Sequence, residues 1–336
     1  MLPERMIVYV ERSPSHPALS APIWAVSDGR AGNARQAEAL AVALAGGDAI
    51  ESIVLSPRAP WKWMAPRALP GSHAAFGAEF ATRLASPPAL VVGCGRQAAL
   101  ATRLLRARGS RVVQVLDPRI DPRHWDLVVV PEHDTLRGDN VVVTRGGLHP
   151  VDDAWLARAR TAFDAFSSLP GPRTALLLGG GSRHVPFDVA EFDRLADQLD
   201  AVLARDGGSV LATTSRRSSD ALRDRLKQRY GHAPHVTWRG ADDGDNPYPG
   251  LLAWADRIVC SPDSVNMVSE ACATRAPVFV FEPDRVQGAP RRFLDALLSS
   301  GRIRVMDDAL ASFDAEPLRE SARVAAEIKQ RLTLPL

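Results

Sequence analysis

The 336-residue chain is poor in cysteine, with only Cys94, Cys260 and Cys272, and it contains no CxxC pair. Three scattered thiols in apolar or small-residue settings exclude a disulfide-stapled fold and a thiolate metal centre. They read as reduced core residues of a cytoplasmic protein. Long hydrophobic runs are missing too: no stretch approaches the roughly 20 apolar residues of a membrane helix. The patch Met6–Val10 is too short, and too soon interrupted by Glu11 and Arg12, for a secretory leader. The expected location is the cytoplasm, with the inner face of the membrane open to it as a peripheral protein. An excess of one charge is also absent. Lys+Arg total 41 against 39 Asp+Glu, a formal net charge of +2, which is too small to make nucleic acid the default partner. The basic side chains are almost all arginines, which suit bidentate contacts to phosphate or carboxylate, and the pair Arg216–Arg217 is a candidate local anion site. Familiar catalytic signatures are lacking as well. There is no GxSxG, P-loop, HExxH or strict GxGxxG, which argues against a serine hydrolase, a P-loop NTPase, a zinc peptidase and a dinucleotide oxidoreductase. No metal is expected: the acidic run Asp242–Asn246 lacks the spacing and final carboxylate of a calcium loop.

What is present is a repeated phrase. A short aliphatic run meets a Gly- or Asp-containing turn, and a helical pattern follows. Ile23–Val26, Leu90–Val92, Val112–Leu116, Leu127–Val130 and Val141–Thr144 are five such runs. A helix is expected over Val151–Ser167, and Leu169–Pro172 punctuates the chain before the phrase restarts. Thr174–Leu178, Ser209–Thr213, Val236–Trp238, Arg257–Cys260 and Val278–Phe281 form the second set. Continuous apolar strands alternating with helices specify parallel sheets covered on both faces. The expected fold is therefore α/β, with two Rossmann-like domains facing a cleft. Residues 1–21 form an N-terminal extension, 22–168 and 169–310 the two domains, and 311–336 a C-terminal helix that packs back.

Ligands of parallel α/β sheets bind beyond the carboxyl ends of strands, where turn amides and helix N-termini converge. Three loops there carry candidate chemistry. In the first, Gly179, Gly180 and Gly181 permit close backbone approach to an anion, Ser182 adds a hydroxyl, and Arg183 can pair with phosphate. The alternative is a tight turn whose glycines serve geometry alone. In the second, Ser261, Asp263 and Ser264 are all helix-capping types, and Glu270 on the following helix can accept hydrogen bonds from ribose hydroxyls. An ordinary capped helix is the plainer reading. In the third, Gly29 and Gly32 flank Arg30, with Asn33 next, and Asp28 stands at a strand end as either a general base or a cap. Gly95 and Arg96 offer a further helix start, and His133 between Glu132 and Asp134 is a reserve acid/base group.

The run Trp24–Ala37, with Pro131–Asp134, Gly179–Ser182, Asn246–Tyr248, Ser261–Glu270 and Ala276–Val278, resembles the mitochondrial fission Elm family. The matches fall in order from about Ile23 to Pro283, nearly the whole chain. The Arg- and Ala-rich, Lys-poor composition points to a bacterial member. In plants the family helps to bring dynamin-type proteins to mitochondria, which would imply a scaffold that recruits a protein partner. Residues Ala255–Glu270 with Pro277 and Val278 are also similar to the nucleotide-sugar motif of GT-B glycosyltransferases, the peptidoglycan N-acetylglucosaminyltransferases among them. That likeness implies that the Ser264, Val265 and Asn266 amides hold a diphosphate and that Glu270 holds the ribose. Gly180, Gly181 and Ser182 would then line the site, and Trp238 with Arg239 would flank the base. It further implies a metal-independent transferase with a nucleotide-diphosphate sugar as substrate, UDP being a suitable nucleotide, and an acceptor of unknown identity in cell-envelope polysaccharide or lipopolysaccharide assembly. Arg183 or Arg96 would stabilise the leaving group, and Asp28 or His133 would serve as base. A sugar-nucleotide epimerase or hydrolase fits the same pattern. The chain departs from it at Pro262–Asp263, where those enzymes carry small residues.

Overall fold

The computed structural model describes residues 22–182 and 185–333. The expected N-terminal extension and Arg183 lie outside these residues. Two compact units are formed, one by residues up to Pro150 with the C-terminal segment from Arg319, the other by Val151–Leu318.

The first unit contains β1 (Ile23–Ser27), α1 (Ala31–Ala45), β2 (Ile50–Val54), α2 (Trp61–Met64), α3 (Gly77–Arg83), β3 (Leu90–Cys94), α4 (Arg96–Arg106), β4 (Arg111–Val115), β5 (Leu127–Pro131) and β6 (Val141–Thr144). Its six strands are all parallel, in the order β2-β1-β3-β4-β5-β6. Side chains alternate across a strand, so β1 feeds two cores. Ile23 and Ala25 pack with Leu40 and Leu44 of α1, whereas Trp24 and Val26 pack with Ala98, Leu105 and Trp125.

The second unit contains α5 (Asp153–Ala162), β7 (Arg173–Leu178), α6 (Val189–Asp206), β8 (Ser209–Thr214), α7 (Asp220–Tyr230), β9 (Val236–Trp238), α8 (Tyr248–Trp254), β10 (Arg257–Cys260), α9 (Val265–Ala271), β11 (Val278–Val280), α10 (Ala289–Ser299) and β12 (Arg304–Val305). Its sheet is again six-stranded and parallel, in the order β12-β11-β10-β7-β8-β9. Ala175 and Leu177 face the core that holds Leu251 and Val268, while Leu176 and Leu178 face Phe192, Leu195 and Leu199 of α6. Helix α6 starts at a full capping box, in which Asp188 accepts from the Ala190 and Glu191 amides and Glu191 accepts from the Asp188 amide.

Several expectations require correction. Each sheet has one more strand than the sequence suggests: β2 alternates buried and open positions, and β12 has only two residues, both exposed. Such edge strands lack the buried apolar run that marks the central ones. Helix α5 ends at Ala162, with a short 3₁₀ turn over Asp164–Ser168, and packs on α8. The division between units consequently falls at Pro150 rather than at the punctuated segment 169–172. Helix α11 (Ser321–Leu332) does pack back, but on the first unit: Val324, Ala325 and Ile328 join the core of α1.

Candidate functional site

A parallel sheet whose connections run one way and then the other leaves a crevice where the order reverses, at the carboxyl ends of two adjacent strands. In the second unit that point lies between β7 and β10. The two loops already singled out by the sequence, Gly179–Ser182 and Ser261–Ser264, leave those two strands. In the first unit the reversal lies between β1 and β3, and there Asp28–Asn33 meets Gly95.

In the second unit the crevice is built around a carboxylate of the chain itself. Asp263 has a fully enclosed side chain. One oxygen accepts from the Ser261 hydroxyl at 2.7 Å. The other accepts from the Gly180 amide at 2.9 Å and from the Arg217 guanidinium at 3.0 Å. Ser261 in turn accepts from the Gly179 amide at 2.7 Å. The two glycines are required for this approach. A Cβ on Gly179 would collide with the Asp263 carboxylate, and one on Gly180 with the Arg217–Ser218 backbone. The glycine loop thus cradles an anion, and that anion is Asp263. Of the three capping types Ser261, Asp263 and Ser264, it is Ser264 that caps the following helix, accepting from the Met267 amide at 3.4 Å.

Arg217 lies in the turn after β8, the other neighbour of β7. Ser215 accepts from its amide at 3.2 Å, and the Ser218 hydroxyl donates to the Gly179 carbonyl. Its guanidinium reaches the Gly181 carbonyl at 3.3 Å as well as Asp263, yet the side chain remains half exposed. It is a positive charge fixed at one end and open to solvent at the other. Ser264, Val265 and Asn266 are partly exposed at the start of α9.

Glu270 is buried in the second unit, 2% exposed, and accepts a hydrogen bond from the Tyr248 hydroxyl. Tyr248 opens α8, its amide donating to the Asn246 side chain at 3.0 Å. The pairing explains the motif Asn246-Pro247-Tyr248: it aims a phenol at the carboxylate. Trp238 and Arg239 stand on and just after the edge strand β9, two strands from β7. The Trp238 indole donates to the Gly244 carbonyl at 3.0 Å, and Arg239 clasps Asp243 through its amide and guanidinium. They brace the loop after β9. Among the described residues no group of His, Cys, Asp and Glu has metal-binding geometry.

In the first unit Asp28 follows β1, with about a tenth of its side chain exposed. It accepts from the Asn33 side-chain amide at 2.9 Å and from the Arg30 amide at 3.2 Å. Asn33 sits against Gly95, whose φ of +91° suits glycine, and its carbonyl oxygen faces the Cys94 thiol at 3.8 Å. Burial, with Asp28 nearby, pushes that thiol far up, so Cys94 stays protonated and is no nucleophile. Gly29, with φ of +75°, makes the turn, and Gly32 lies in the first turn of α1. Arg96 is not aimed at this crevice; its guanidinium donates to the carbonyls of Lys62 and Trp63 at 3.1 and 3.2 Å. His133 follows β5, separated from β3 by β4, and is not brought to Asp28. The sequence reading offered Arg216–Arg217 as a local anion pair but did not connect Arg217 to this crevice, and it missed Ser215, Ser218 and Tyr248 as site residues. The only signals were a serine-flanked arginine pair directly after β8 and a tyrosine inside a recognised motif.

The family profile described as mitochondrial fission ELM1 matches residues 31–332. The Mitochondrial fission protein ELM1 of Arabidopsis thaliana is 32% identical over 276 residues, 73% of this chain, and the match spans only 64% of that relative's length. A protein of Rickettsia prowazekii (strain Madrid E) is 22% identical over 93% of this chain and 99% of its own. Among solved structures, the UDP-GlcNAc 2-epimerase of Methanocaldococcus jannaschii superposes with a TM-score of 0.54 at 14% identity, covering 93% of this chain and 99% of that one. At that identity the likeness speaks for the fold alone, two Rossmann-like units of the GT-B type. The profile match over most of its length makes this chain a member of the mitochondrial fission ELM1 family.

Proposed function

We propose that the second unit binds a nucleoside diphosphate, with a nucleotide-diphosphate sugar as substrate and UDP as the reference nucleotide. The observation that carries this reading is Arg217, held by the enclosed Asp263 at the β7/β10 reversal point with half its side chain in solvent. A fixed guanidinium loses little freedom on meeting a phosphate and offers planar, paired donors. Arg217 takes the role that the sequence assigned to Arg183 or Arg96, the guanidinium of Arg96 being engaged by the carbonyls of α2. The amides of Ser264, Val265 and Asn266 and the edge of Gly181 and Ser182 supply the remaining contacts. Because Arg217 neutralises Asp263, the diphosphate does not meet a bare carboxylate. Glu270 takes the ribose once the Tyr248 hydroxyl shifts or shares it. The same epimerase of M. jannaschii was solved in complex with UDP-GlcNAc and UDP, at a TM-score of 0.50, and this supports a nucleotide sugar as the ligand class.

The reaction we assign is glycosyl transfer to an acceptor in envelope polysaccharide or lipopolysaccharide assembly, with Asp28 as the base on the acceptor hydroxyl. The leaving diphosphate is stabilised by amides and an arginine. An acceptor of that kind brings the protein to the inner face of the membrane. Isothermal titration of the full chain with UDP and the other nucleoside diphosphates tests the ligand. Product analysis with the nucleotide sugar alone separates a transferase from an epimerase or hydrolase, which need no acceptor.

One observation favours a second reading. The Gly180 amide that would meet a phosphate already holds Asp263. An internal anion at a phosphate position suits a non-catalytic scaffold that keeps the fold and recruits a protein partner. Absence of binding to every nucleotide by a well-folded sample would select it.

A further inference from the structure

The first unit carries a surface for which the nucleotide reading has no use. Trp63, Met64 and Leu69 are 68%, 36% and 38% exposed, and all three fall in the segment that contains α2. Exposure of this kind is costly for a tryptophan, whose burial removes one of the largest apolar areas of any side chain. It also does not come from a loose loop. The α2 carbonyls of Lys62 and Trp63 are held by Arg96, and the Pro66 carbonyl by Arg103 at 2.7 Å. Trp61, two positions before Trp63, faces the other way and packs with Ala65, Ala75 and Leu100. The backbone is therefore pinned with one tryptophan inward and one outward.

Charge identifies what the surface fits. Between Glu51 and Glu79 the chain has no acidic residue, while Arg58, Lys62 and Arg67 are all exposed. A protein partner's apolar patch would not call for a segment whose charged side chains are all cationic, whereas an anionic lipid surface would. Tryptophan beside lysine and arginine is the chemistry of the membrane interface, where the ring lies at headgroup level and each cation meets negative surface potential.

We propose that Trp63, Met64 and Leu69 insert into an anionic lipid surface, with Arg58, Lys62 and Arg67 on its headgroups. The inference gives a location to the membrane clause of the functional reading, and its test needs no nucleotide, so the two fail independently. The full chain is mixed with phosphatidylcholine vesicles, with or without phosphatidylglycerol, and floated. The protein should float with the anionic vesicles only, and its tryptophan emission should shift to the blue. The double substitution Lys62→Glu with Arg67→Glu should lower partitioning by about thirtyfold or more, and Trp63→Ser should lower it by about tenfold and remove the blue shift. Both changes sit on exposed side chains, and unchanged circular dichroism checks the fold. Failure to float with anionic vesicles overturns the proposal, as does flotation unaltered by both variants. Light scattering that shows a dimer for the natural chain and a monomer for Trp63→Ser, with no flotation, overturns it in favour of a second copy as the occupant.

Discussion

Arg217 and Asp263 meet at 3.0 Å with opposite surroundings: the carboxylate is wholly enclosed, while half of the arginine side chain is open to solvent. The burial of one partner fixes the other. Replacing Asp263 by Ala strands the Gly180 amide, removes the shortest acceptor of the Ser261 hydroxyl and leaves Arg217 with the weaker contact to the Gly181 carbonyl. Loss of a buried, charge-bound acceptor of this kind costs about 2–4 kcal/mol. Calorimetry should show a lowered melting temperature for the second unit's transition, and an unchanged one would remove Asp263 from the account.

The glycine loop makes a sharper comparison. Gly179→Ala and Gly180→Ala place a methyl group against the Asp263 carboxylate and the Arg217–Ser218 backbone, respectively. Each should destabilise by about 1–3 kcal/mol or more, as overpacking against fixed groups does. Gly240→Ala is the control, since a Cβ there meets nothing within 4 Å, and it should lie within about 0.5 kcal/mol of the parent. Urea midpoints of the three variants measure the difference.

Tyr248→Phe leaves the Glu270 carboxylate buried without the phenol that donates to it. A loss of about 1–3 kcal/mol is expected. If Glu270 receives ribose, Glu270→Gln should also weaken UDP by about tenfold, while UDP should protect the natural chain against heating. Thermal shifts with and without UDP separate the structural effect from the binding one.

A pH dependence follows from His235, whose Nδ1 accepts the Val210 amide at 3.1 Å and must therefore be unprotonated. Burial holds its pKa below the usual histidine value, His232 reinforces the effect, and Asp200 opposes it. The unfolded chain thus takes up a proton first as pH falls. Stability from this group is complete above about pH 6.5 and declines as pH drops from there towards the depressed folded value. Urea midpoints should fall between pH 7 and 5, and His235→Gln should flatten that part of the curve.

The three thiols should be silent in the native state. All are buried, and burial pushes Cys272 up to about 12 and raises Cys94 and Cys260 well above the usual thiol value. A thiol-specific chromogenic reagent at pH 8 should label none of them before unfolding and all three after it. Rapid labelling of the folded protein would contradict the cores described for both units.

The central strands were legible because a strand buried on both faces must be continuously apolar over its length, as Leu90–Cys94 is and as Ile258, Val259 and Cys260 are within β10. The edges β2 and β12 were not, since half or more of their residues meet solvent and the apolar run disappears. The loops after β7 and β10 were identifiable from their glycines and serines, and both stand at the reversal point. What could not be read was which anion the glycines serve. Asp263 and Gly180 are 83 positions apart, and only the strand order β10-β7-β8 brings them and Arg217 together. Arg96 shows the converse: a helix start beside a glycine suggested a ligand, whereas its side chain serves the carbonyls of α2.

The measurement closest to the central claim compares UDP with uridine by titration calorimetry, on the natural chain and on Arg217→Ala. The account predicts that UDP binds the natural chain more tightly than uridine does, and that the substitution erases about tenfold or more of that advantage while leaving uridine nearly unaffected. Equal loss for both ligands, or an undiminished preference for UDP without the arginine, would contradict it.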